Sequence, residues 1–144
     1  MTQLQTISVK NDKSPKVVLD TNVLVSALVF GGKPRAVVEM LLENGTIIVS
    51  AEILTEIRRI IHAKFPAFKI HLARLEKLLK RDAKWVELGS TQVTVYRDPD
   101  DNKIIETAVI GTADYIVSGD EDLLVLQAYG AITILKSAEF LGSS

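Results

Sequence analysis

The chain contains no cysteine among its 144 residues, which excludes disulfide staples, thiolate metal sites and cysteine nucleophiles. Histidine is scarce as well, with His62 and His71 alone, so metal chemistry would have to rest on oxygen ligands. No apolar run approaches the ~20 residues a membrane-spanning helix needs. Met1 to Lys16 is polar and carries no apolar core of signal-peptide length, so the expectation is a cytoplasmic protein with no membrane partner. The net charge is only −1, which argues against a protein that coats nucleic acid through bulk charge. A glycine-rich phosphate loop is also missing: Gly31-Gly32 follows a helical segment and not a strand, and neither the dinucleotide fingerprint nor the P-loop lysine pattern occurs.

What is present is organised around Val17-Val18-Leu19-Asp20-Thr21-Asn22, an apolar run that stops on an acid. Apolar positions without alternation suit a strand buried on both faces, as in a parallel sheet covered by helices. Asp20 then stands at the strand's carboxyl end, the edge where open α/β sheets bind ligands. Taken alone, it could equally cap the helix that starts near Val23.

Residues 1–16 read as a loose tail and 17–144 as one domain. A helical segment from Val23 to Phe30 is broken by Gly31-Gly32. Pro34 opens a second helix with a stripe of Val37, Val38, Leu41 and Leu42, and Ile47-Ile48-Val49 forms a second buried strand. Ser50 caps a helix running to about Phe65, with Glu56 on the border of its apolar stripe. Pro66 stops that helix, and Phe68, Leu72, Leu75 and Leu79 build the next, to about Ala83. Trp85 to Leu88 reads as strand three, and Val93 and Val95 as a brief extended piece. Ile104, Ile105, Ala108 and Val109 mark another helix, preceded by Asp98, Asp100 and Asp101. Tyr115 to Val117 is strand four and runs into Ser118-Gly119-Asp120. A helix carrying Leu123, Leu124 and Leu126 follows until Gly130, and Ile132 to Leu135 is strand five. Strand and helix alternate throughout, the pattern of a three-layer α/β/α, Rossmann-like fold with a central parallel sheet of about five strands.

Acids therefore stand at several places where strand and helix meet: Asp20, Asp101 and Asp120, with Glu56 able to join from the helix after strand two. Right-handed parallel connections emerge at one edge of the sheet. Two carboxylates ~4 Å apart repel by about 4 kcal/mol at an effective dielectric near 20, so such a group calls for a counter-charge. A hard divalent cation, Mg²⁺ or Mn²⁺, suits all-oxygen ligands. From Arg58 to Lys84 there are nine bases against two acids. That is either a solvated face or a field suited to a phosphate backbone. A haloacid-dehalogenase-type phosphatase also places an Asp after strand one, but it wants a second Asp two residues later, where this chain has Asn22.

Four pieces together carry a family likeness: Val17 to Ser26; Ser50-Ala51-Glu52-Ile53-Leu54-Thr55-Glu56-Ile57; Asp98-Pro99-Asp100-Asp101-Asn102 leading to Ala108; and Ile116-Val117-Ser118-Gly119-Asp120 with Asp122-Leu123-Leu124. In these the chain, from Val17 to Leu141, resembles the PIN-domain family, in particular its VapC-like bacterial toxins of toxin–antitoxin pairs. The resemblance implies a PIN-like fold and metal-dependent hydrolysis of RNA. It implies that Asp20, Glu56, Asp101 and Asp120 are the metal-binding, catalytic acids, with Asn22 and Ser118 as supporting polar groups. Asp101 is preferred over Asp98 and Asp100 because Ile104 and Ala108 stand at the family offsets after it. Members often carry Thr where this chain has Ser118. An antitoxin partner and self-association are further expectations of the likeness. The competing expectation is a PIN fold that binds RNA or a protein without turnover.

Overall fold

In the computed structural model the backbone is described for residues 14–89 and 99–142, and side chains for all of these except Pro99, Asp100 and Asp101. Asp98, Val93 and Val95 lie outside the described residues, as does the tail up to residue 13.

Strand β1 (Lys16–Leu19) is followed directly by helix α1 (Thr21–Val29), two residues earlier than the helix predicted from Val23. Val17, Val18 and Leu19 are at most 1% exposed. Successive strand residues point to opposite faces, so three buried in a row mean that both faces of the sheet are covered. Gly31 and Gly32 both adopt positive φ, 75° and 62°, a conformation that glycine enters without Cβ strain, and α2 (Gly32–Asn44) starts there. Strand β2 (Thr46–Ser50) leads into α3 (Ala51–Lys64), whose cap is the Ser50 hydroxyl, accepting from the Ile53 amide. After a 3₁₀ turn at Pro66–Phe68 comes α4 (Lys69–Asp82), then β3 (Lys84–Val86). β3 begins one residue before the expected Trp85 and ends two before Leu88. Its Trp85 lies at an edge, 39% exposed, with the indole N–H donating to the Leu79 carbonyl.

The second half holds α5 (Pro99–Ile110), β4 (Tyr115–Val117), a single helical turn α6 (Glu121–Leu124), β5 (Ala128–Tyr129), β6 (Ile132–Leu135) and α7 (Ser137–Gly142). The helix expected to carry Leu123, Leu124 and Leu126 as far as Gly130 is thus corrected to one turn and an edge strand. Gln127 takes φ 63° and Val125 is 66% exposed, so this stretch cannot bury a helical stripe.

The sheet order is β3-β2-β1-β4-β6-β5, with every pairing parallel except the last. The five expected parallel strands are there, extended by the two-residue antiparallel β5. A continuous core runs through Leu19, Leu24, Leu41, Ile48, Ile57, Leu79, Ile105 and Ile116. A polar contact links the two halves inside it: the Thr107 and Ser50 hydroxyl oxygens stand 3.1 Å apart, both residues being fully buried, while the Thr107 proton goes to the Lys103 carbonyl at 2.7 Å. Among the described residues no helix is long and apolar enough to cross a membrane.

Candidate active site at the carboxyl edge of the sheet

The register pairs Leu19 with Val117, so the residues that follow, Asp20 and Ser118, emerge side by side from adjacent parallel strands. The Asp20 amide donates to the Val117 carbonyl at 2.9 Å, which extends the ladder to the edge itself. The Ser118 hydroxyl donates to Asp20 Oδ2 at 2.6 Å and accepts from the Asp120 amide at 2.9 Å. Because the amide takes the acceptor side, the single hydroxyl proton is left directed at the carboxylate.

Asp20 stands at the N-cap position of α1, yet its side chain makes no capping bond; the backbone carbonyl of Asp20 accepts from Val23 and Leu24. The cap alternative is therefore set aside, since the carboxylate is turned to Ser118. Asp120 differs: its Oδ1 accepts from the Asp122 amide at 2.9 Å, capping α6.

Asp20 is 8% exposed, and its carboxyl is raised above the ordinary aspartate value. Burial is the largest cause, since it penalises the anion; the Ser118 hydroxyl opposes it, Asp120 adds repulsion, the Thr21 amide opposes, and Glu56 adds a further repulsion. Asp120 and Glu56 thus each lie within electrostatic range of Asp20. Among the described residues no ion pair reaches Asp20, and no three acids stand close enough to hold a metal by themselves. Asp101 lies in the first turn of α5, with a side chain outside the described residues.

Glu56 comes from α3, and its side chain is 15% exposed. Its Oε1 accepts from the buried Thr21 hydroxyl at 3.0 Å and faces Lys103 Nζ at 3.7 Å, while Oε2 faces Arg59 Nη2 at 3.5 Å. Ala51, Glu52, Thr55, Glu56, Arg59 and Lys103 line a cavity of about 330 Å³ on this side. On the other side a second cavity, about 490 Å³, is lined by Asn22, Ser26, Ser118, Asp120, Lys136 and Ser137, among others. Asn22 is exposed there. Sequence reasoning did not single out Thr21, Arg59 or Lys103. The i, i+3 spacing of Glu56 and Arg59 was the one available signal. The basic stretch is partly neutralised: Arg58 is held by Glu76 and Arg81 by Asp82, the two acids counted within it.

The donor set is chemically suited to a hard divalent ion, being all oxygen and anionic, with a buried carboxylate that faces like charges and no base among the described residues. A further carboxylate would be needed to complete it, and α5 begins at this edge with Asp100 and Asp101.

Residues 16–122 match the profile of a family described as PIN domain. An uncharacterized protein of Methanocaldococcus jannaschii, MJ1680, is 33% identical over 119 residues, a match that covers 78% of this chain and 75% of that protein. Among solved structures, VapBC2 from Rickettsia felis bound to a DNA fragment from their promoter aligns with a TM-score of 0.59 at 16% identity. That alignment covers 83% of this chain and 96% of the other. At such identity the likeness concerns the fold.

Proposed function

This chain belongs to the PIN-domain family, whose members are generally nucleases, and from that we propose that it is a metal-dependent endoribonuclease and the toxin of a toxin–antitoxin pair. The observation that carries the reading is the Asp20–Ser118–Asp120 relay: a buried, unneutralised carboxylate fixed by a hydroxyl that is itself fixed by the next strand end. A group used only for stability would cost less as a neutral residue, because burying an unpaired charge is unfavourable.

Asp20, Glu56, Asp101 and Asp120 would hold Mg²⁺ or Mn²⁺. When bound, such an ion supplies charge neutralisation at the scissile phosphate and a more acidic water at neutral pH. The protein's own contribution is positional. Ser118 fixes which Asp20 oxygen is engaged and leaves the remaining lone pairs in place. Thr21 holds Glu56 against α1, and Asn22 and the Ser118–Asp120 loop shape the cavity in which a nucleotide beside the scissile bond would lie. RNA is the proposed substrate, and a cognate antitoxin protein the proposed partner.

The test is degradation of a labelled RNA by the full chain, with Mg²⁺ and with a chelator. Cleavage should require the metal and be lost in Asp20→Asn and in Asp101→Asn while both variants stay folded. Full cleavage in chelator by both would overturn the proposal. RNA binding without any cleavage would leave a binding module in its place.

A further inference from the structure

Arg58 and Arg59 are neighbours on α3, and they are held in different ways. Arg58 makes a forked pair with Glu76, Nε to Oε2 at 2.8 Å and Nη2 to Oε1 at 2.9 Å, the length of strong charge-assisted hydrogen bonds. Arg59 stands 3.5 Å from Glu56, its side chain 69% exposed, and Lys103 stands 3.7 Å from the other oxygen of the same carboxylate. Those separations are contacts between charges without a hydrogen bond, so Arg59 can turn to another oxyanion at little cost. Glu56 cannot follow, being tied to the buried Thr21 hydroxyl, the residue next to Asp20. Arg59 and Lys103 bring two cations to the wall of the 330 Å³ cavity that Glu52 and Glu56 also line, offsetting carboxylates that would by themselves repel a phosphate. An ordinary exposed i, i+3 pair would show two solvated side chains, whereas Glu56 here is 15% exposed and fixed by Thr21.

We infer that Arg59, poised on Glu56 beside Lys103, binds a backbone phosphodiester of the nucleic-acid strand next to the one presented to the carboxylates. The inference rests on the nuclease reading above and adds to it where the strand runs: over the α3 side of Asp20. A guanidinium suits this task because its planar fork matches two phosphate oxygens. A phosphate contact supplies affinity and register without base choice.

The experiment measures binding of a short fluorescent single-stranded RNA in chelator across a salt series, for the full chain and for Arg59→Ala, Arg59→Lys and Arg58→Ala. Each phosphate contact in a single strand contributes about 0.7 to the slope of log affinity against log salt. Arg59→Ala should lower the slope by about that amount and weaken binding about 5-fold to 10-fold at low salt. Arg59→Lys should recover most of the slope, and Arg58→Ala should leave it unchanged. In Mg²⁺, KM should rise in Arg59→Ala with kcat within about twofold, since the contact is remote from the bond cut. Thermal melting of Arg59→Ala should match that of the unaltered chain, because the side chain is exposed. An Arg59→Ala chain that binds with an unaltered slope overturns the inference and leaves the nuclease reading standing. An unaltered chain that neither binds nor cleaves RNA overturns both.

Discussion

The Ser118 hydroxyl donates to Asp20 Oδ2 at 2.6 Å across 98 positions of sequence, and that bond joins the ends of two adjacent parallel strands. It fixes the orientation of a carboxylate that burial would otherwise leave poorly solvated. Ser118→Ala should therefore cost about 1–3 kcal/mol of stability, the penalty of an unsatisfied buried acceptor, measured by urea denaturation. Cleavage should fall with it by about tenfold or more, since a small displacement of a catalytic group is felt strongly. Unaltered stability would mean that water replaces the hydroxyl.

Asp20 faces burial and two like charges, so its anion is a liability to the metal-free fold. Asp20→Asn keeps an acceptor for Ser118 and removes the charge. In chelator this variant should be more stable than the unaltered chain by about 1 kcal/mol, a modest fraction of what burial of an anion costs. Adding Mg²⁺ should raise the melting temperature of the unaltered chain and leave Asp20→Asn unmoved, because only a state that binds the ion is stabilised by it. Equal shifts in both chains would place the ion elsewhere.

Glu76 is held below its ordinary value of 4.5, first by the Arg58 hydrogen bond. A lowered carboxyl stabilises the fold above its unfolded value, and that contribution disappears as pH falls through the folded one. The side chains of the pair are 46% and 17% exposed, so the effect should be at most about 1 kcal/mol. Urea melts between neutral and acid pH should show the unaltered chain losing this increment below about pH 4.5. Glu76→Gln should show none of that particular slope.

Gly111 closes α5 against β2. A Cβ placed there would stand 2.5 Å from Ile48 Cγ2 and 3.1 Å from the Thr107 carbonyl oxygen. Ile48 is 1% exposed in the core and cannot move aside. Gly111→Ala should destabilise the fold by about 1–3 kcal/mol in thermal or urea denaturation, the usual cost of overpacking. A neutral result would show that the end of α5 shifts freely.

Much of this architecture could be read from residue pattern alone. Val17 to Leu19, Ile47 to Val49 and Tyr115 to Val117 are short apolar runs that end on polar groups, a pattern and length that suit strands buried on two faces. The strand after Leu126 was not legible, because Leu123, Leu124 and Leu126 share the spacing of a helix and the turn that ends it sits at Gln127, a residue with no turn signature. Asp20 was visible as a candidate, but a strand-end acid reads equally as a cap. Only the direction of its side chain decides, and that depends on Ser118, remote in sequence. The pairing of Arg59 and Lys103 with one carboxylate was hidden for a similar reason, since Lys103 arrives from α5.

Among the described residues the sheet is bordered by β3, three residues long, and β5, two residues long. Strands of that size expose too few unpaired amides and carbonyls to template the addition of a foreign strand. Crowded preparations of this protein should accordingly resist fibril growth by sheet extension from these two strands.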